Sequence, residues 1–373
     1  MRSMIYPVGI QSFEEIRKGD YCYVDKTAQI YQLVKTGKYY FLSRPRRFGK
    51  SLLISTLEAY FQGKKELFHG LAMEALEKEW TTYPVLHLDL NAQKYDTPEA
   101  LIHVLEENLQ YWESLYGASE SEIGVARRFN GVIRRAAEKT GKNVVVLVDE
   151  YRNTLKAFYG ALKSMDAYLR FALLTGVTKF SKISVFSDLN NLEDISLQQA
   201  YNNLCGITEQ ELLENFEEGI RVLGQHNEMA YEETCKSLRQ WYDGYHFSGH
   251  AGGLYNPFSL LNALKSREFG SYWFETGTPT FLVELLLRSH YDLHRLTEEL
   301  ATADSLSGID TMETNPVPIL YQSGYLTVKG YDKRFRTYTL GFPNREVEEG
   351  FIKFLLPFYS ATSKADSAFE IVR

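Results

Sequence analysis

Residues 38–61 pass from a short apolar run, Lys38–Ser43 (KYYFLS), through the turn RPRRFGKS (Arg44–Ser51) into a run with Leu53, Leu57, Tyr60 and Phe61 at helical spacing. A buried strand that hands over to a helix through a glycine-bearing turn is the pattern that most constrains this chain. The turn must lie at the carboxyl end of a sheet strand, where open α/β sheets hold their ligands. Gly49-Lys50-Ser51 is the closing half of the phosphate-binding consensus G-x-x-x-x-G-K-[ST]. Gly49 carries no side chain to stand between the backbone and an anion. Amides from Arg46 to Ser51 can converge on that anion at the helix N-terminus, where the helix dipole also favours negative charge. In such a loop Lys50 reaches the β- and γ-phosphates and Ser51 ligates Mg²⁺. Arg44, Pro45, Arg46, Arg47, Phe48, Gly49, Lys50, Ser51 and Leu52 are therefore the candidate nucleotide-binding set. Arg44 stands where the opening glycine belongs, so the loop by itself is a near miss.

Context strengthens it. Asn143–Val148 (NVVVLV) is an almost wholly apolar, β-branched run of the kind found in central parallel strands, and it ends on Asp149-Glu150. Tyr83–Leu90 alternates apolar and polar positions, and Leu169–Val177 is a further apolar strand. Thr97-Pro98-Glu99 opens a helix with Leu101, Val104, Leu105 and Leu109 on one face, and a second helix runs toward Lys139 and stops at Gly141. Strands alternating with helices predict an open parallel α/β sheet with right-handed crossovers. In that frame Asp149 holds the Mg²⁺ shell and Glu150 polarises the attacking water. A strand between the loop and the acid pair fits the branch of P-loop ATPases that carries a catalytic glutamate. Thr175, at the tip of the next strand and followed by Thr178, is either a sensor of the γ-phosphate or an ordinary strand-end threonine. Glu150, Lys50 and Thr175 are the catalytic candidates, and Ser51 and Asp149 the metal ligands. Arg46 and Arg47 stabilise transition-state charge, stack on the base, face solvent, or pair with acidic groups of a second domain.

Beyond Tyr201 the character changes. Glu209–Trp241 is charged and helical, Trp241–Phe247 (WYDGYHF) places an Asp-Gly turn in an aromatic cluster, and Asn256-Pro257-Phe258-Ser259 opens another helix. Phe281–Leu287 continues the helical trend. Ile319–Val328 reads as a helix, a glycine stop and a strand, Gly330–Arg336 as a charged turn, and Thr337–Leu340 as a return strand. The expected architecture is an α/β P-loop NTPase sheet sandwiched by helices (1–205), a helical and winged-helix-like second domain (206–345), and a C-terminal helix and tail (346–373).

A formal net charge of −7 argues against nonspecific nucleic-acid binding by the whole chain. The helix before the hairpin, Asn315–Ser323, has no Lys or Arg, which speaks against major-groove reading. Lys329, Lys333, Arg334 and Arg336 against the single Asp332 form either a solvated hairpin or a contact to DNA phosphates. Cys22, Cys205 and Cys235 lie far apart, without metal or dithiol spacing. No apolar run approaches the ~20 residues of a membrane helix, and MRSMIYPVGIQSFEE has no apolar signal core. A cytoplasmic protein without membrane contact is expected. His246, alone among aromatics, reads as a packing residue.

These residues together resemble the AAA-ATPase-like family of bacterial, Bacteroidetes-type P-loop ATPases. The resemblance rests on Tyr6-Pro7-Val8-Gly9, Tyr23-Val24-Asp25-Lys26-Thr27, RPRRFGKS and Leu147-Val148-Asp149-Glu150-Tyr151. It continues through Thr175-Gly176-Val177-Thr178-Lys179-Phe180-Ser181, Trp241–Ser248, Tyr255–Ser259 and Gly341-Phe342-Pro343-Asn344, covering nearly the whole chain. It implies that arginine at position 44 is usual for such a loop. It also implies a mobile stretch after Asp149-Glu150-Tyr151, which here runs straight into Arg152-Asn153-Thr154-Leu155. Many such proteins carry a C-terminal nuclease-like domain; this chain stops at Arg373, about where one would begin, and no nuclease activity is assigned. The YVDKT segment has no derivable mechanism: Asp25 or Lys26 lines the adenine side, or forms a strand-end ion pair or turn. The expected function is Mg²⁺-dependent binding and hydrolysis of ATP by a nucleotide-driven switch, with a protein partner or a second copy of the chain as its target. The alternative is a regulatory module that binds nucleotide, recruits DNA or a partner, and hydrolyses little. ATP is preferred to GTP because no Asn-Lys-x-Asp stands where guanine would be read.

Overall fold

The computed structural model describes residues 4–91, 97–150, 156–177, 191–249, 252–275, 285–286, 289, 291, 299–307 and 315–359. Tyr151, Thr178 and Lys179, most of Phe281–Leu287 and the tail after Tyr359 lie outside these residues.

Five strands form the first sheet: β1 (Tyr39–Ser43), β2 (Val85–Asp89), β3 (Val144–Asp149), β4 (Leu169–Gly176) and β5 (Glu193–Asp194). All pairs are parallel, in the order β2-β3-β4-β1-β5. Every residue of β1 and β3 is buried, as their apolar runs demand. The two-residue alternation of a strand then divides the core. Tyr39, Phe41, Val144, Val146, Val148, Ala172 and Leu174 pack against α5 (Pro98–Tyr116) and α6 (Val125–Thr140) on one face. Tyr40, Leu42, Val145, Leu147, Phe171 and Leu173 pack against α2 (Thr27–Thr36) and α3 (Lys50–Phe61) on the other. The remaining helices of this part are α1 (Phe13–Lys18), α4 (Ala72–Leu76) and α7 (Lys156–Ser164).

Local signals set the helix ends. The Thr97 hydroxyl accepts from the Ala100 amide at 3.3 Å and Pro98 fills the first turn of α5. Gly141 ends α6 in the left-handed conformation (φ 65°).

The strand order fixes the place of the site. The chain leaves β1 for β2 at one edge and leaves β4 for β5 at the other, so its direction reverses between neighbouring strands β1 and β4. The crevice beyond the carboxyl ends of such a pair is where doubly wound sheets bind ligands. RPRRFGKS follows β1, Glu150 follows β3, and Thr175 lies near the end of β4.

The second half has two packed clusters. α8 (Glu209–His226), α9 (Tyr231–Tyr242) and α10 (Pro257–Ser266) enclose Leu212, Phe216, Ile220, Leu223, Leu238 and Leu260. The 209–241 stretch is thus two helices, broken where Glu228 takes a left-handed backbone (φ 56°). Next come α11 (Tyr272–Glu275), β6 (Glu299–Thr302), α12 (Ala303–Ser307), α13 (Val317–Ser323), β7 (Thr327–Asp332), β8 (Thr337–Gly341) and α14 (Arg345–Tyr359). The three strands are antiparallel in the order β6-β8-β7. Gly324 stops α13 at φ 90°, as the sequence led one to expect. β7 runs on to Asp332, so the charged turn is narrower than Gly330–Arg336. Val347, Phe351 and Leu355 of α14 share a core with Tyr325, Leu326 and Leu340.

Candidate functional site

The loop is shaped by two left-handed residues, Arg47 (φ 67°) and Gly49 (φ 91°). A Cβ built on Gly49 meets no atom within 4 Å. Glycine is required there by the backbone angle, not by crowding within the protein. Among the described residues, the amides of Gly49, Lys50, Ser51 and Leu52 donate to no protein acceptor. They are the orphan donors of the α3 N-terminus. Above them lies a cavity of ≈360 Å³ with Arg46–Leu52 as its floor, Pro7–Gln11 and Phe258 as walls, and Asn91, Glu150 and Val177 on the strand side.

Lys50 is buried, and its ammonium crosses the loop to donate to the carbonyls of Arg44 (3.0 Å) and Pro45 (3.2 Å). Burial pulls its pKa down, opposed by the carboxylates of Glu150 and Asp149. Asp149 is buried at the tip of β3, and its Oδ1 accepts from the Thr175 hydroxyl at 3.0 Å. Thr175 is fully buried. The next residue diverges sharply: Glu150 has φ 63°, a left-handed backbone that costs a non-glycine residue about 1–2 kcal/mol. Such strain persists where the surroundings enforce it, and it collects at functional sites. It keeps Glu150 half-buried at the cavity, with Oε1 accepting from the Val177 amide at 3.4 Å, while Asp149 stays in the interior.

A family model described as a predicted AAA-ATPase matches residues 7–186, a span that holds the loop, the acid pair and Thr175. The uncharacterized protein in the vnfD 5′ region of Azotobacter chroococcum mcd 1 is 39% identical over 375 residues, covering 95% of this chain and 70% of that protein. The chain belongs to this family of predicted AAA-ATPases. Membership implies nucleotide binding and ATPase-like function. Among the described residues, no helix is long and apolar enough to cross a membrane.

Several expected ligands of the family's nucleotide are arranged otherwise than the sequence suggested. Arg44 is 1% exposed. Its guanidinium donates to the carbonyls of Ser43 (2.9 Å), Ser196 (2.8 Å), Tyr201 (3.0 Å) and Asn202 (3.4 Å), and it lies 4.1 Å from the Phe247 ring centroid. Its amide donates to Gly176 O at 3.1 Å. Both terminal nitrogens and the amide are thus taken by protein carbonyls, Nε is buried without a partner among the described residues, and Arg44 does not line the cavity. It is a buried brace that replaces the consensus glycine. The Pro45 ring packs against Gly324, and Arg46 accepts at its carbonyl from Trp273 Nε1 (3.2 Å), with its guanidinium 5.7 Å from that ring. Arg47 stacks on Phe258 at 4.3 Å. Phe48 meets Tyr245 and Phe247 edge-on at 4.8 and 5.2 Å. Aromatic side chains of the second half thus meet both Arg46 and Arg47.

The hairpin set changes too. The Lys329 ammonium turns back to donate to Pro343 O at 2.9 Å, which removes it from a phosphate-facing group. Lys333, Arg334 and Arg336 stand exposed at the tip. Asn91, just beyond β2, escaped the sequence reading because a lone polar residue after a strand carries no periodic signal. Its one hint is register: Asp89 pairs with Asp149, which puts Asn91 beside the acid pair.

Proposed function

We propose that the chain binds Mg·ATP in this cavity, hydrolyses it, and passes its nucleotide state to the second half through RPRRFGKS. The strained Glu150 beside a buried, hydroxyl-held Asp149, at the sheet's switch point, carries this reading. Amides from Arg46 to Leu52 receive the phosphates, and the Lys50 ammonium exchanges two carbonyls for phosphate oxygens. Ser51 and Asp149 would hold Mg²⁺; a hydroxyl, one carboxylate and substrate phosphates suit that ion, which when bound offsets the phosphate charge. Glu150 orients and deprotonates the attacking water. Thr175 acts through Asp149, fixing its carboxylate. The base lies toward Pro7, Leu52 and Leu261.

Residues 1–205 then form the ATPase domain. Residues 206–345 form a helical and winged-helix-like domain, against which the C-terminal helix α14 packs; the β6-β8-β7 order with α12 and α13 ahead of the hairpin supports it. Lys50→Ala is expected to abolish ATP binding. Glu150→Gln is expected to keep it and stop phosphate release. Unchanged turnover in Glu150→Gln rejects the base assignment. A second reading, a weakly hydrolysing module that recruits nucleic acid or protein, is favoured by the exposed Lys333, Arg334 and Arg336. ATP retained without phosphate release, with or without duplex DNA, would select it.

A further inference from the structure

Beside the cavity above the loop lies a smaller one of ≈100 Å³, and the two share walls that include Pro7, Gly49, Leu52 and Leu261. The smaller cavity is mostly apolar, walled by Ile16, Val24, Ile30, Leu53, Ile207 and Phe216. Among the described residues lining it, Lys26 alone carries a charge.

Lys26 belongs to the YVDKT segment, whose other polar members are engaged locally. Asp25 accepts from the Thr27 amide (2.8 Å) and hydroxyl (2.6 Å) through Oδ1, and from the Ala72 amide (2.7 Å) through Oδ2. Lys26 is different. It is 9% exposed, and its ammonium lies 2.6 Å from each carboxylate oxygen of Glu211. Glu211 sits in the first turn of α8, where Oε2 also accepts from the Thr208 amide at 2.8 Å in a capping box. The pair therefore joins the sheet-bearing half of the chain to the helical half.

An ammonium has three N–H donors, and the carboxylate engages two of them at most. The third is left to an apolar cavity, where an unmet donor is costly. A fitting ligand has apolar ring faces for the walls and an acceptor atom at its far edge. With a triphosphate on the loop amides, the lining from Gly49 past Leu52 carries the other end of the nucleotide toward Lys26. We propose that Lys26 donates to a ring acceptor on the far edge of the purine while Glu211 holds the ammonium in place. The pair is thus a specificity determinant that ties occupancy of the base pocket to α8. This rests on the nucleotide assignment above.

The test separates base from phosphate. Lys26→Met/Glu211→Gln removes both charges at once, so no single charge is left buried, and glutamine keeps an oxygen for the Thr208 amide. Binding of Mg·ATP and of Mg·tripolyphosphate to the full chain is measured by calorimetry, with thermal melts to establish folding. ATP affinity should fall about tenfold or more, as for loss of a charged hydrogen bond, while tripolyphosphate affinity stays unchanged. Unchanged ATP affinity, or equal loss of both ligands, overturns the proposal. Should the double variant melt early, Lys26→Arg keeps the charge but crowds the base, and the same split is expected. Failure of the underlying site looks different: wild-type protein would then bind neither ligand in a Lys50-dependent manner.

Discussion

The Thr175 hydroxyl donates to Asp149 Oδ1 at 3.0 Å, and both residues are buried between neighbouring strands. Thr175→Val keeps the shape and removes the donor, leaving a buried carboxylate oxygen short of a partner. Stability should fall by about 1–3 kcal/mol. ATP turnover should fall about tenfold, with a higher Mg²⁺ concentration needed for half-maximal rate. Thr175→Ser, which restores the hydroxyl, should recover most of both. Steady-state phosphate release over a Mg²⁺ series checks this, and a valine variant with wild-type Mg²⁺ dependence would argue against a positioning role.

Arg44 braces the loop with a planar fork across four carbonyls and a ring. Lysine is a point charge and cannot span them. Arg44→Lys should therefore destabilise the chain by about 3 kcal/mol or more, close to Arg44→Ala, since each leaves buried carbonyls unpaired. Urea unfolding gives the comparison. A lysine variant within 1 kcal/mol of wild type, by the usual spread for benign changes, would show that charge alone suffices.

Gly49→Ala meets open space but an unfavourable backbone. The expected cost is about 1–2 kcal/mol from φ 91° alone. Because a relaxed loop would turn its amides away, ATP affinity should fall by more than this loss of stability implies. Calorimetric titration beside a urea melt separates the two effects.

Burial, with Lys329 nearby, holds the His246 imidazole below its usual pKa of 6.5. Between the folded value and 6.5 the unfolded chain binds more protons, so stability falls as pH drops through that window. His87 is shifted upward, pulled by Glu58 against its own burial, and works in the opposite direction. The informative comparison is therefore wild type against His246→Asn: the drop in urea midpoint from pH 7.5 to pH 5.5 should be smaller in the variant, or turn into a rise.

The sheet was readable because its signals are local. The β-branched 143–148 run, the Thr97-Pro98 start and the Gly141 stop each encode a backbone state over a few residues, and each element appears where they place it. β5 and β6 were not readable: strands of two and four residues have no alternation to detect. The left-handed turn and open amides of the loop were legible in Gly49-Lys50-Ser51. The work of Arg44, Arg46, Arg47 and Phe48 was not, because their partners Phe247, Trp273, Phe258 and Tyr245 lie about 200 residues away, and no local pattern announces a contact so distant. An ion pair at Lys26 was one of the readings the sequence left open, but its partner Glu211 was hidden for the same reason.

Phe48 is a residue of the phosphate loop whose ring lies in the core of the other half of the molecule. A fragment cut near residue 205 would keep the loop, Asp149, Glu150 and Thr175 and still present this ring to water. Exchange of the second half for that of another protein would have to carry RPRRF with it. The boundary that divides the chain by architecture does not divide it by inheritance: the side chains of the loop's first five residues answer to the partner they dock on, while its backbone answers to the nucleotide proposed above.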